Sequence, residues 1–148
     1  MYYWLVLALV LVLDQGSKWW ISSTFAPGES QALIDGMLWL TYVHNQGAAF
    51  SIMQGKLLFF ILASALVVAG ISIWAAIYRP GPWLALITGL LAGGAAGNLL
   101  DRIRLSYVID FLDLHWWPIF NVADMAIVCG GFLLAWHVYR MERSDING

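Results

Sequence analysis

A carboxylate in an apolar run needs a reason to be there, and this sequence has five. Of its nine Asp and Glu residues, Glu29, Asp35, Glu142 and Asp145 keep the company of loop or tail residues, where a solvated surface accounts for them. Asp14, Asp101, Asp110, Asp113 and Asp124 lie within or against long apolar stretches. A charge near a bilayer centre costs about 2.5–3.5 kcal/mol on insertion scales unless it is paired or wetted. Two of the five can do chemistry together. Asp110 has apolar neighbours in Val108-Ile109-Asp110-Phe111, and Asp124 ends Phe120-Asn121-Val122-Ala123-Asp124, with no charged residue between it and Arg140. The connection from Leu105 to Phe120 carries Trp116, Trp117 and Pro118, enough aromatic surface to anchor at an interface and fold back. It would then bring Asp110 near the start of the last helix. Two close carboxylates share one proton and titrate as a unit. The ionised member takes a proton from water as it attacks a peptide carbonyl, the protonated one donates to the carbonyl oxygen, and a carboxyl of the pair protonates the amine as it leaves. The same acids also suit a small proton-coupled carrier, and spacing alone leaves both readings open.

The remaining polar residues have simpler roles available. Asp14 and Lys18 are four apart on a helix and can pair on one face, neutralising each other for insertion. Asn98 and Asp101 share a face, with Arg102 beside them, as a polar cluster that glues helices. Asn121 is a good N-cap, with Asp124 in the first turn, where the helix dipole favours an acid. Gly93-x-x-x-Gly97, with Gly94 and the alanines Ala92, Ala95 and Ala96, forms a small surface for close packing, which a non-enzymatic scaffold could also use. Other chemistries find no footing. His44, His115 and His137 have no adjacent Glu, so no zinc motif or other metal site is expected. Ser64 and Ser72 lie far in sequence from any His, there is no phosphate-cradling Gly loop, and no cofactor is expected. Cys129 reads as a small hydrophobe.

Elements long enough to hold these residues in a membrane are easily found. The 148 residues are 61% hydrophobic, 15% aromatic and only 11% charged, with mean hydropathy +0.77. A soluble domain carries about 25% charged residues, so the chain is read as integral to a membrane. Its net charge of −2 leaves no basic excess for phosphates, and nucleic acid is excluded as a partner. A bilayer core takes about 20 apolar residues as helix, and four stretches qualify: 2–21, 57–78, 83–100 and 122–139. The first lacks the basic start and small-residue cleavage site of a signal peptide, so it is expected to remain as a span. Arg79-Pro80-Gly81-Pro82 makes a tight break between the second and third. The expected fold is therefore membrane all-α, an up-down bundle forming a single domain over 1–148. Residues 22–56 form a small β-like platform between helices 1 and 2, with a strand expected over Met37–Val43.

Aromatic residues mark two levels. Tyr2, Tyr3, Trp4, Trp74, Trp83, Trp136 and Tyr139 fall at one; Trp19, Trp20, Trp116 and Trp117 fall at the other. Arg79, Arg140 and Arg143 lie on the side of the termini, against Lys18, Lys56, Arg102 and Arg104 on the far side. Setting aside Lys18 and Arg102 as residues inside spans leaves three against two, which places both termini in the cytoplasm.

Taken in order, Gly97-Asn98-Leu99-Leu100-Asp101-Arg102, Val108-Ile109-Asp110-Phe111 and Phe120-Asn121-Val122-Ala123-Asp124 resemble the signature of lipoprotein signal peptidase, also called signal peptidase II. Asp14 with Lys18 and the run His44-Asn45-Gln46-Gly47-Ala48-Ala49-Phe50 agree with it, so the similarity extends from the first span to the last. Ser51, where glycine is expected, is a small departure. The resemblance implies an aspartyl peptidase of the bacterial inner membrane, with a lipid-resting platform and the site at the extracytoplasmic face. It implies a prolipoprotein substrate, cut just before a cysteine that already carries a diacylglyceryl group. By that pattern Asp110 and Asp124 match the catalytic pair. Asn45, Asn98, Asp101, Arg102, Asn121 and Ala123 match residues that shape the site or position substrate, and Asp14 and Lys18 match structural polar residues. Arg102 is expected to hold Asp101 or a polar headgroup. Membrane lipid is the surrounding partner, and the protein is expected to be a monomer.

Overall fold

The computed structural model describes residues 1–47 and 56–146. Four helices dominate it: α1 (Tyr2–Thr24), α2 (Leu57–Tyr78), α3 (Pro82–Leu105) and α4 (Val122–Ile146). Each is long and apolar enough to cross a membrane. Three strands, β1 (Ser30–Ile34), β2 (Leu38–Asn45) and β3 (Val108–Asp113), form one antiparallel sheet in that order.

Apolar count located the spans but not the helix ends. Helix α3 continues to Leu105, five residues past the apolar stretch, so Asp101, Arg102 and Arg104 are helical. Polar side chains do not stop a helix; what stops this one is Ser106, in the left-handed conformation at φ 68°. Helix α2 ends likewise at Arg79, φ 47°, and Gly81-Pro82 starts α3 with proline at its first turn.

The sheet draws on two connections rather than one. The strand expected at Met37–Val43 appears as β2, but the stretch expected to fold back after α3 also supplies a strand, β3, and Asp110 lies on it. Val108, Ile109, Asp110 and Phe111 are all buried. A strand covered on both faces shows no polar-apolar alternation, so no period of two was there to be read. Ile21 of α1 and Phe25 just after it pack with Leu40, Tyr42, Ile109 and Phe111, which seats the sheet on the end of the bundle. Burying such a side chain contributes about 1.5–3 kcal/mol.

Helix α3 is the hub, touching α1, α2 and α4. Its glycines allow that approach: a methyl at Gly93 would lie 2.8 Å from Val10 Cβ, and one at Gly89 2.8 Å from Val6 Cβ. Helix α2 is the peripheral one, with Ala75 its one buried residue and Leu58, Leu66 and Ile77 exposed. Tyr3, counted above with the aromatic belt, instead turns inward. It is 2% exposed, and its hydroxyl hydrogen-bonds Ser72 Oγ at 2.7 Å, so the two residues tie α1 to α2.

Candidate active site

The site lies where the sheet meets α1, α3 and the start of α4. Asp14 and Lys18 pair at 2.9 Å as their spacing predicts, but Lys18 also reaches Asp101 Oδ2 at 2.8 Å and donates to Asn98 Oδ1 at 3.0 Å. All three charged residues are almost wholly buried. One ammonium thus sits between two carboxylates from different helices. Each carboxylate is completed by a backbone donor: Ala123 N–H to Asp14 Oδ1 at 2.9 Å, and Ile109 N–H to Asp101 Oδ2 at 3.2 Å. Asp14 therefore caps α4 across a separation of 109 residues, satisfying one of the N–H groups a helix start leaves open. Ala123 acts through its backbone and through the smallness that lets it lie against Gly94 and Gly97.

Arg102, expected to hold Asp101 or a polar headgroup, does not pair with Asp101. Lys18 and Gln15 take Asp101, the latter donating to Oδ1 at 2.9 Å. Arg102 instead donates to the carbonyl oxygens of Gly47 at 3.2 Å and Asn98 at 3.4 Å, and lies 5.1 Å from the centre of the Phe60 ring. Adjacent residues on a helix point about 100° apart, so neighbours in sequence face different partners. Asp113, the fifth unexplained acid, accepts from the Thr41 hydroxyl at 2.8 Å and from His115 N–H at 2.7 Å, locking strand to loop.

Three asparagines carry the network from this ionic group to Asp110 and Asp124. Each has its amide oxygen taken by an obligatory donor, which fixes where its NH₂ points. The Asn98 oxygen accepts from Lys18, so its NH₂ donates to Asp124 Oδ1 at 2.8 Å. The Asn121 oxygen accepts Asp124 N–H at 2.9 Å as an N-cap, so its NH₂ reaches Asp110 Oδ1 at 2.6 Å and Asn98 Oδ1 at 3.2 Å. The Asn45 oxygen accepts Gly47 N–H at 2.9 Å, and its NH₂ donates to Asp110 Oδ2 at 2.8 Å. Asp110 and Asp124, from β3 and α4, line one cavity of about 390 Å³ together with Asn45, Asn98 and Arg102. Burial, reinforced by the charge of Asp124, pushes the Asp110 carboxyl up to about 7, against the opposing pull of the Asn45 and Asn121 amides and of Lys18.

All ten residues singled out in the sequence belong to this assembly. The run starting at His44 is described through Gly47; Ala48, Ala49, Phe50 and Ser51 lie outside the described residues. Sequence reasoning passed over Gln15, whose amide donates to both Asp14 and Asp101 and to the Gly97 carbonyl at 3.3 Å. An uncharged polar residue beside Asp14 in an apolar helix was the available signal. Gly97 was read as packing only, yet a methyl there would strike Asp14 Oδ2 and lie 3.3 Å from Ala123 Cβ. Gly97→Ala is accordingly expected to cost about 1–3 kcal/mol and to lower activity by moving Asp14 off the α4 cap. Thermal unfolding in detergent and peptide cleavage measure the two effects. Among the described residues, no three His, Cys, Asp or Glu side chains gather as metal ligands.

Comparison with known proteins covers nearly all of the chain. A family model described as signal peptidase (SPase) II matches residues 6–140. A lipoprotein signal peptidase of Syntrophomonas wolfei is 52% identical over 134 residues, 90% of each chain. One from Halothermothrix orenii is 39% identical over 140 residues, 95% of this chain and 97% of its own. A solved structure described as a bacterial membrane enzyme superposes with a TM-score of 0.87 at 29% identity, covering 93% of this chain and 87% of its own.

Proposed function

This chain belongs to the signal peptidase II family, and from that premise we propose that it is an aspartyl endopeptidase with Asp110 and Asp124 as its catalytic pair. Its substrate is a prolipoprotein whose lipobox cysteine carries a diacylglyceryl group, and the bond cut is the one just before that cysteine. One observation carries this reading: two acids from separate elements line a single cavity at the ends of the spans, joined through the Asn98 and Asn121 amides.

The chemistry follows from a shared proton. The ionised carboxylate takes a proton from a water molecule as its oxygen bonds to the scissile carbonyl carbon. The protonated carboxyl gives its proton to the carbonyl oxygen; as the C–N bond breaks, the acid that took the water's proton passes it to the amine, and the proton on the former carbonyl oxygen returns to the other carboxylate. Asn45, Asn98 and Asn121 hold the acids in place, while Asp101, Lys18 and Asp14 hold the asparagines and the start of α4. Arg102 keeps donor capacity toward the cavity and suits a substrate carbonyl. The placement also suits the substrate. Each buried lipid CH₂ is worth about 0.8 kcal/mol, so the modified cysteine stays at the lipid boundary and the acids must meet it there. Both termini are then cytoplasmic, the site extracytoplasmic, and the working unit a monomer within membrane lipid.

The test is incubation of the purified protein with a diacylglyceryl-modified lipobox peptide, the products being mapped by mass. Cleavage directly before the modified cysteine, with none of the unmodified peptide, is expected; cleavage elsewhere or no cleavage refutes the reading. The pH profile is a second check. Asp110 holds its proton to about 7, so above that pH the pair becomes doubly ionised and has no proton to donate. We expect kcat/KM to fall about tenfold per pH unit on that alkaline limb. Stability should fall in the same direction from the ordinary carboxylate range up to about 7, because there the folded state holds a proton that the unfolded chain has released.

A further inference from the structure

Asp110 faces two cavities rather than one. The first, already described, continues down α4 past Met125 to Val128 and Cys129, inside the span. The second, of about 510 Å³, opens on the sheet side and is lined by Val43, His44, His115 and Trp116. Asn45, Asp110 and the strap Trp117-Pro118-Ile119 line both, so the two spaces meet at the carboxylate. Volumes of this order, about 300–1,000 Å³, are those of small-ligand sites.

The walls of the second cavity are held in place before anything binds. The His115 ring lies 3.8 Å, centre to centre, from that of Trp39, with its backbone at φ 65° fixed by the bond to Asp113. The His44 ring stacks on Tyr107 at 3.9 Å, and its Nε2 hydrogen-bonds the Tyr42 hydroxyl at 2.9 Å. Strand β3 and the loop after it close through Phe120, which pairs with Leu112. Two imidazoles and an indole thus flank a space outside the spans, with Asp110 at its floor.

A peptide cut at Asp110 has unlike parts. The signal segment before the bond and the diacylglyceryl chains on the cysteine after it are apolar, and have a path along α4. A polar segment following that cysteine has no place among Val128 and Cys129. We infer that the sheet-side cavity is a subsite for the first polar residues after the modified cysteine, with His44, His115 and Trp116 as its recognition surface. This rests on the peptidase reading above and adds to it a binding site on the far side of the bond. Contacts made there strengthen the hold on the reacting carbonyl and so raise kcat/KM without touching the acids.

The experiment compares two diacylglyceryl-modified lipobox peptides, one ending at the cysteine amide and one extended by three polar residues. Wild-type protein is expected to cut the longer about tenfold more efficiently in kcat/KM. In His115→Gly, which suits the local backbone, and in Trp116→Ala, the ratio of longer to shorter is expected to fall toward one. His44→Ala is expected to do the same. Because the ratio is internal to each variant, partial unfolding scales both rates and leaves it unmoved. A wild-type ratio of one, or a ratio that survives all three substitutions, overturns the subsite while leaving the peptidase standing. Failure to cut either peptide overturns both.

Discussion

Replacing Asp124 with Asn is expected to leave a protein that binds the lipid-modified peptide and does not cut it, with kcat down by about 10⁴-fold. Asn matches the carboxyl in shape but neither takes a proton from water nor donates one of comparable acidity. Asp110→Asn should lose activity to the same degree, and the double variant little more, since the two acids act as one unit. Their stabilities should differ, which makes the pair of variants informative. Asp124 takes one short amide bond, from Asn98, so an Asn there can turn its oxygen to that donor. Asp110 takes an amide NH₂ on each oxygen, and an Asn there sets one NH₂ against another. Gel-shift assay of prolipoprotein processing measures the activity, and thermal unfolding in detergent the stability. Wild-type processing by either variant would falsify the role of that residue.

Lys18→Met is the second large effect, expected chiefly in stability. Removing the ammonium leaves Asp14 and Asp101 buried without their shared cation, and breaking a buried pair from one side costs about 3–5 kcal/mol. A surface pair four apart on a helix would cost only about 0.3–0.5 kcal/mol. Adding Asp14→Asn and Asp101→Asn to the Lys18 variant should restore most of the loss, because the orphaned charges go with the cation. Chemical denaturation in detergent decides it; a loss below about 1 kcal/mol would mean water already reaches the group. Cleavage should also fall, since Lys18 is what keeps the Asn98 amide oriented toward Asp124.

Sequence reasoning reached the acids because an ionised group in an apolar run is conspicuous, and the spans because length and hydropathy are local. It reached Asp14 with Lys18 for the same reason, as helical spacing is local too. The Lys18–Asp101 bridge joins α1 to α3 and has no signature in either segment. Strand β3 stayed hidden because both its faces are covered. Adjacency along the chain makes Asp101 one of two partners expected for Arg102, whereas the helix turns the two residues toward different neighbours. Ordered motifs did carry the family, since they record the three-dimensional solution that spacing leaves open.

The bond from Ala123 to Asp14 has a consequence for how the protein comes into being. Helix α1 leaves the ribosome ahead of α4 and supplies the cap for it, and Asp110 is translated before Asp124 exists. A nascent chain halted short of its fourth helix therefore holds one acid without the other, and a fourth helix arriving finds its docking point already threaded through the bilayer. On the proposed role of the two acids, hydrolysis awaits the docking of α4, and a copy stalled before it is expected to leave the lipid-linked precursors around it uncut.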